Sequence, residues 1–150
     1  MSFRLHSPTD ASELSALVRK GIREADPADV GPRDWVPVKF ALEDADGKVV
    51  GGVYGATMWR WLMIDGLWVA DEHRGKGLGR QLLEAAEKIA IERGCTGSWL
   101  GTFDFQARSF YEAHSYEVFA ELPGFPPERT HYHLQKSFVT AAEPTETQLG

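Results

Sequence analysis

The stretch RGKGLGRQLLEAAEKIAIERG, residues 74–94, constrains this chain more than any other. Three glycines at alternate positions lead straight into a helical pattern. Leu78, Leu82, Leu83, Ala86, Ile89 and Ala90 recur at helical spacing, with Glu84, Glu87 and Lys88 expected on the opposite, solvated side. Each glycine costs a helix roughly 0.5–1 kcal/mol relative to alanine, so a run of them at a helix start implies a need for bare backbone. A helix N-terminus exposes unpaired N–H groups and the positive end of the dipole, and it binds anions where no side chain blocks the approach. Gly75, Gly77 and Gly79 clear that approach while Arg74, Lys76 and Arg80 add positive charge. The pattern fits a pyrophosphate. It lacks the Gly-Lys-Ser/Thr ending of a Walker loop, and its third glycine falls one position early for a dinucleotide-binding fingerprint.

The flanking segments read as a mixed α/β chain. FRLH reads as a short first strand, and Pro8, Thr9 and Asp10 supply turn and cap chemistry for a helix running to about Ala25. ADPADVGPRDWVP is an irregular connector with room for one more helical turn. VKFALE, GKVVGGVYGATMW and RWLMIDGLWV read as three strands, the first two joined by the hairpin signal DADG, so a meander is expected. After the glycine-led helix, which should stop at Arg93 and Gly94, come a buried strand TGSWLGTF, a short helix QARSFYEAH, and the strands YEVFAEL and HYHLQKSF. A strand, a crossover helix and a further strand place those two strands parallel. VTAAEPTETQLG has little to bury and reads as a mobile tail, leaving residues 1–138 as one domain and 139–150 as that tail.

Composition narrows the function classes. A formal charge of −6 with no long basic run disfavours a nucleic-acid surface and suits a cationic small molecule better. The single cysteine, Cys95, forms no internal disulfide and supplies no zinc spacing. No segment has the make-up of a signal peptide or the length of a bilayer crossing, so a cytoplasmic protein with no membrane partner is expected. His131 and His133 alternate on one strand, but without a third ligand at useful spacing no metal is expected there.

RGKGLG, between a strand and a long helix, resembles the R/Q-x-x-G-x-G/A signature of the Gcn5-related N-acetyltransferase (GNAT) superfamily. Further along, QARSFYEAHSYEVF resembles that family's second signature, an Asn-x-x-Ala-x-x-Phe/Leu-Tyr segment leading to Gly-Phe/Tyr, with Gln106 in place of the asparagine and Ser115 in place of the glycine. The two motifs and the element order cover most of residues 3–138. The resemblance implies a mostly antiparallel α/β sheet flanked by helices. In it the parallel pair, here LMIDGLWV and SWLGTF, splays to admit the pantetheine arm of acetyl-CoA.

It also implies roles. Leu67, Trp68 and Val69 would offer backbone groups to the pantetheine and the thioester carbonyl, with Gly66 suited to a bulge that opens the gap. The backbone of Gly75, Lys76, Gly77, Leu78, Gly79 and Arg80, with Arg74, would hold the pyrophosphate. Gln106 would reach the pantetheine amide, and Tyr111 would give the departing thiolate a proton or hydrogen bond. For the acceptor side, Trp35, Asp65, Phe125 and His133 are the candidate substrate-binding residues, and Asp65, Asp104, Glu121 and Glu128 are candidate bases or binders of a cationic group. The expected activity is acetyl-CoA-dependent transfer to a primary amine of a small molecule by direct attack in a ternary complex. A peptide or protein amino group is the alternative acceptor, and an acyl-CoA-sensing module the alternative of another class. Members of that family commonly dimerise, so a homodimer is an available assembly.

Overall fold

A computed structural model describes residues 1–138; the tail expected at 139–150 lies outside the described residues. The chain divides into two compact units, Met1–Pro32 and Arg33–Gly150. The first holds α1 (Ser12–Glu24), opened by Asp10 Oδ1 accepting the Ser12 N–H at 2.8 Å, and a single 3-10 turn at Ala28–Val30. The expected first strand does not form: residues 3–6 have no ladder partner, and Phe3 and Leu5 are exposed. FRLH carries only two apolar residues, too little burial to hold a strand by itself.

The second unit is built on one sheet of β1 (Val36–Glu43), β2 (Val49–Met58), β3 (Trp61–Val69), β4 (Gly97–Phe103), β5 (Glu117–Pro123) and β6 (Thr130–Ser137), in the order β1-β2-β3-β4-β6-β5. All neighbours are antiparallel except β3 and β4, which are parallel. DADG makes the expected turn: Asp44 Oδ1 accepts the N–H groups of Asp46 and Lys48, both at 2.9 Å.

Between β3 and β4 run α2 (Leu78–Glu92) and the left-handed stop at Gly94; α3 (Arg108–Ala113) follows β4. The apolar stripe of α2 buries Leu82, Leu83, Ala86 and Ala90 against Val53, Leu62, Ile64, Leu100 and Leu134 of the sheet. Arg93 fastens the far end of α2, donating to the Val36 and Pro37 carbonyls and to Thr57 Oγ1.

Glu87 departs from expectation. It is only 8% exposed, and it receives hydrogen bonds from Lys136 Nζ (2.8 Å to Oε2) and Tyr116 Oη (3.1 Å to Oε1), with Ser98 Oγ 3.0 Å from the same phenol. The position lies four residues after Leu83 and three before Ala90, hence on the buried stripe, and its carboxylate is tolerated there because every oxygen is met. Among the described residues no helix is long and apolar enough to cross a membrane.

Candidate active site

β3 carries one extra residue. Its pairing with β2 shifts between Tyr54/Gly66 and Gly55/Ile64, which leaves Asp65 as the bulge. The expected bulge is therefore present one position before Gly66, whose own Cα is covered by the Tyr54 ring. The extra residue shifts the side-chain alternation, so Leu62 and Ile64 before it and Leu67 and Val69 after it share the face toward α2. Trp68 lies on the far face and is exposed.

The bulge also marks where the sheet opens. β3 and β4 pair only from Trp61/Gly97 to Ile64/Leu100, although both strands continue beyond. The Ala70 N–H donates to the Val50 carbonyl at 2.8 Å, so by antiparallel alternation Trp68 and Gly66 direct their backbone groups to β2. Leu67 and Val69 direct theirs into the split. Of the three residues expected to offer backbone there, Leu67 and Val69 hold that position and Trp68 contributes its side chain instead.

The split is part of a cleft of about 840 Å³ running from the bulge, past the glycine loop, to α3. At the loop, Gly75 and Gly77 have φ of +76° and +77°, a left-handed backbone that other residues enter only with strain. Gly77 is the N-cap of α2 and accepts the Gln81 N–H through its carbonyl, while the N–H groups of Leu78, Gly79 and Arg80 have no acceptor among the described residues. Gly79 differs from its neighbours: its φ is not left-handed, and a Cβ there would meet the Phe110 ring of α3 at 3.4 Å, an ordinary contact distance.

The expected cations divide as well. Arg74 and Arg80 line the cleft and Lys76 does not. Arg74 is clipped back, its Nε donating to the Val69 carbonyl at 3.1 Å and its Nη2 3.0 Å from Asp71 Oδ1, and Arg80 Nε lies 2.7 Å from Glu84 Oε1.

Across the cleft, Gln106 Oε1 accepts the Phe103 N–H at 3.1 Å and lies 3.4 Å from Thr102 Oγ1, which pins the side chain to the end of β4 and leaves its amide nitrogen as a donor. The longer side chain thus finds a fixed seat. Tyr111 is 6% exposed, wedged edge-on between Phe110 and Tyr116, and burial pushes its phenol up to about 12. Ser115 ends this segment at φ +72°, the left-handed position that the resemblance gives to glycine.

Of the acceptor-side candidates, Asp65 lines the cleft and Trp35, Phe125 and His133 do not. Trp35 is 60% exposed just before β1. Phe125 and His133 belong to an aromatic group on the face of the sheet away from α2, with Phe125 edge-on to Phe103 and His133 beside His131. Asp104 is occupied at the turn, its Oδ2 accepting the Thr130 N–H at 3.0 Å and its Oδ1 lying 3.7 Å from Arg129. Phe105, Thr102, Gly101 and His114 line the cleft without having been singled out by the sequence. For Gly101 and Phe105 the available signal was their place at the end of the buried strand after the glycine-led helix, where parallel-sheet sites gather.

Comparison with known proteins agrees with this geometry. The model of the Acetyltransferase (GNAT) family matches residues 11–116. A blasticidin-S acetyltransferase of Streptomyces morookaense is 40% identical over 124 residues, covering 82% of this chain and 86% of that protein. The acetyltransferase Atu2258 of Agrobacterium fabrum is 29% identical over 92% of this chain and all (100%) of its own. The crystal structure of an acetyltransferase from Bacillus cereus superposes with a TM-score of 0.77 at 28% identity, covering 91% of this chain and 97% of that one.

Proposed function

Because the chain belongs to the GNAT acetyltransferase family, we propose that it transfers the acetyl group of acetyl-CoA to a primary amine of a small cationic molecule. The observation that carries the reading is the split at Ile64/Leu100, which leaves the inward backbone edge of β3 without a strand partner beside a row of free helix N-terminal amides. An extended arm ending in a diphosphate satisfies both sets at once, since the arm can take the strand edge and the diphosphate the amides of Leu78, Gly79 and Arg80. A cleft of about 840 Å³ has room for such a ligand.

When bound, acetyl-CoA supplies an acyl carbon activated by its thioester. The chain's own residues do the rest. Leu67 and Val69 present N–H donors along the split, where a donor at the carbonyl oxygen stabilises the charge that develops there during attack. Arg74 must release the Val69 carbonyl for that edge to be used along its full length. Gln106 offers its amide nitrogen from the β4 end. Tyr111, held protonated by burial, can give the Oη proton to a sulfur anion and so improve the leaving group. Holding the amine beside the thioester can by itself lower the barrier by as much as about 7–11 kcal/mol.

Two observations favour a small cationic acceptor. The protein carries a formal charge of −6, and Asp65 stands exposed at the mouth of the split. The name of the Streptomyces relative, a blasticidin-S acetyltransferase, supports the same class. The test is to supply acetyl-CoA with a panel of small cationic amines and of peptides while following free thiol. Release with small amines is the expected result; release with peptides alone overturns the acceptor class, and coenzyme binding without release for any acceptor overturns the enzyme reading in favour of a sensor.

A further inference from the structure

We propose that His131 is the group that removes a proton from the acceptor ammonium, a role that rests on the acetyltransferase reading above. The cleft passes through the sheet. Leu100, Thr102 and Tyr111 line it on the face that carries α2, while Trp68 and Phe105 line it on the other. The free amides and Tyr111 commit the first face to the coenzyme, so the second reactant meets the split from the second.

Gly101 sits at that point, the first β4 residue past the last β3–β4 rung. It lines the cleft and has no side chain, and two imidazoles from β6 that are not themselves part of the cleft lining lie over its Cα. A Cβ built on Gly101 would be 2.6 Å from His131 Cε1, 2.9 Å from His131 Nε2 and 3.5 Å from His133 Cδ2. His131 therefore rests the Cε1–Nε2 edge of its ring over the bare backbone of Gly101, beside where the strands part.

The ring is held from several sides. Phe103 meets it edge-on at 4.5 Å between centroids, His133 edge-on at 4.8 Å, and Phe125 lies at 5.8 Å. Neither of its nitrogens has a hydrogen-bond partner among the described residues, and no buried side-chain nitrogen there is left unsatisfied, so those nitrogens are reached from outside.

The surroundings favour the neutral ring. Burial and the neighbouring His133 both push the His131 imidazole below its ordinary value, which keeps a lone pair available at neutral pH. From β5, the paired residues are Ala120 and Leu122, neither of them titratable. The charged groups at this end are Asp104 at the end of β4 and Arg129 of the β5–β6 loop, which lie 3.7 Å apart, and Asp65 of the β3 bulge, which lines the same cleft as Gly101. Of the four carboxylates weighed from the sequence, Asp104 is engaged, Glu121 pairs with Tyr132, which alternates to the other face of β6, and Glu128 is exposed in the β5–β6 loop, while Asp65, exposed at the cleft, is assigned to attracting the cationic acceptor.

The proton balance closes. One ammonium proton passes to His131 Nε2, and the freed nitrogen pair forms the C–N bond as the C–S bond breaks. Tyr111 Oη protonates the sulfur and is restored by the nitrogen's second proton, and His131 returns its own to solvent. An ammonium ion and a thioester thus become an amide, a thiol and one released proton.

The experiment combines imidazole NMR with kinetics on the full chain. In the protein without coenzyme, the Cε1–H resonance lost in His131→Asn should titrate below the ordinary histidine midpoint. With the acceptor found in the amine panel, wild-type kcat/KM should fall about tenfold per pH unit below that same midpoint. His131→Asn should lose at least about 100-fold in kcat and lose this limb, with coenzyme affinity by calorimetry unchanged. Gly101→Ala, which leaves the imidazole in the chain but displaces it, should lose the limb too, so the result does not hang on one variant's folding. An acidic limb retained in His131→Asn, activity within threefold of wild type, or kinetic and NMR midpoints that disagree would overturn the assignment while leaving the acetyltransferase reading intact. Absence of turnover by the wild-type protein with every acceptor overturns both.

Discussion

Replacing Gly77 by alanine separates the two demands that the glycine loop makes. At φ +77° an L-residue is strained by roughly 1–2 kcal/mol, although nothing lies within 4 Å of the added methyl. For a domain of this size that corresponds to a fall in Tm of about 2–8 °C. The larger effect is on ligand. Relief of the strain turns the backbone out of the left-handed region, and the amides of Leu78, Gly79 and Arg80 then lose their common direction. A hydrogen bond to a charged group is worth about 1.5–3 kcal/mol, so losing the aim of one of them weakens coenzyme A binding by roughly 10- to 100-fold. Gly79→Ala is the matched control: its φ is helical and its methyl meets the Phe110 ring at 3.4 Å, an ordinary contact distance. Calorimetric titration with coenzyme A and thermal unfolding of both variants give the answer. Wild-type affinity in Gly77→Ala, or equal losses in Gly77→Ala and Gly79→Ala, would refute the claim that loop conformation rather than bulk holds the anion.

Other perturbations probe other parts. Tyr111→Phe should lower kcat by tenfold or more with coenzyme affinity nearly unchanged, whereas parallel losses in both would mark Tyr111 as packing. Because burial raises the Tyr111 phenol from 10.0 to about 12, its contribution to stability is complete below pH 10 and is lost as pH rises toward 12. Denaturant unfolding between pH 9 and 11 should therefore show a shallower decline in Tyr111→Phe than in wild type. Glu87→Gln should destabilise the fold by about 3 kcal/mol by leaving the Lys136 ammonium without its anion, and Glu87→Gln combined with Lys136→Met should recover part of that loss in thermal unfolding.

The sequence disclosed those features that local chemistry dictates. The β1–β2–β3 meander, the glycine-led helix and the DADG turn follow from patterns within a few residues, while the left-handed Ser115 stands where the family resemblance puts glycine. What it hid depends on partners far along the chain. Glu87 reads as a solvated residue until β6 brings Lys136 to it and Tyr116 closes the other oxygen. Gly79 reads as left bare for the anion until its helical φ and the Phe110 ring beside it show that its amide, not its missing side chain, faces the loop's task. Trp68 and Leu67 look alike in a strand until the bulge at Asp65 and the β2 register decide which backbone faces the split. The histidines of β6 gave a metal spacing that lacked a third ligand and, for His133, a place among the acceptor-side candidates, while their relation to Gly101 exists only across the β4–β6 ladder.

The unpaired stretch of β3 has a consequence for how such a protein lives at high concentration. Bare strand edges at a sheet's border recruit foreign strands and seed aggregation, which is why they are usually shielded by charge, proline or irregularity. This one lies in the interior of a six-stranded sheet, between β3 and β4, with paired strands on both outer sides. A guest must be as slender as one extended chain to dock along it. The fold thus keeps main-chain valence in reserve for a narrow ligand while denying it to the flanks of neighbouring proteins.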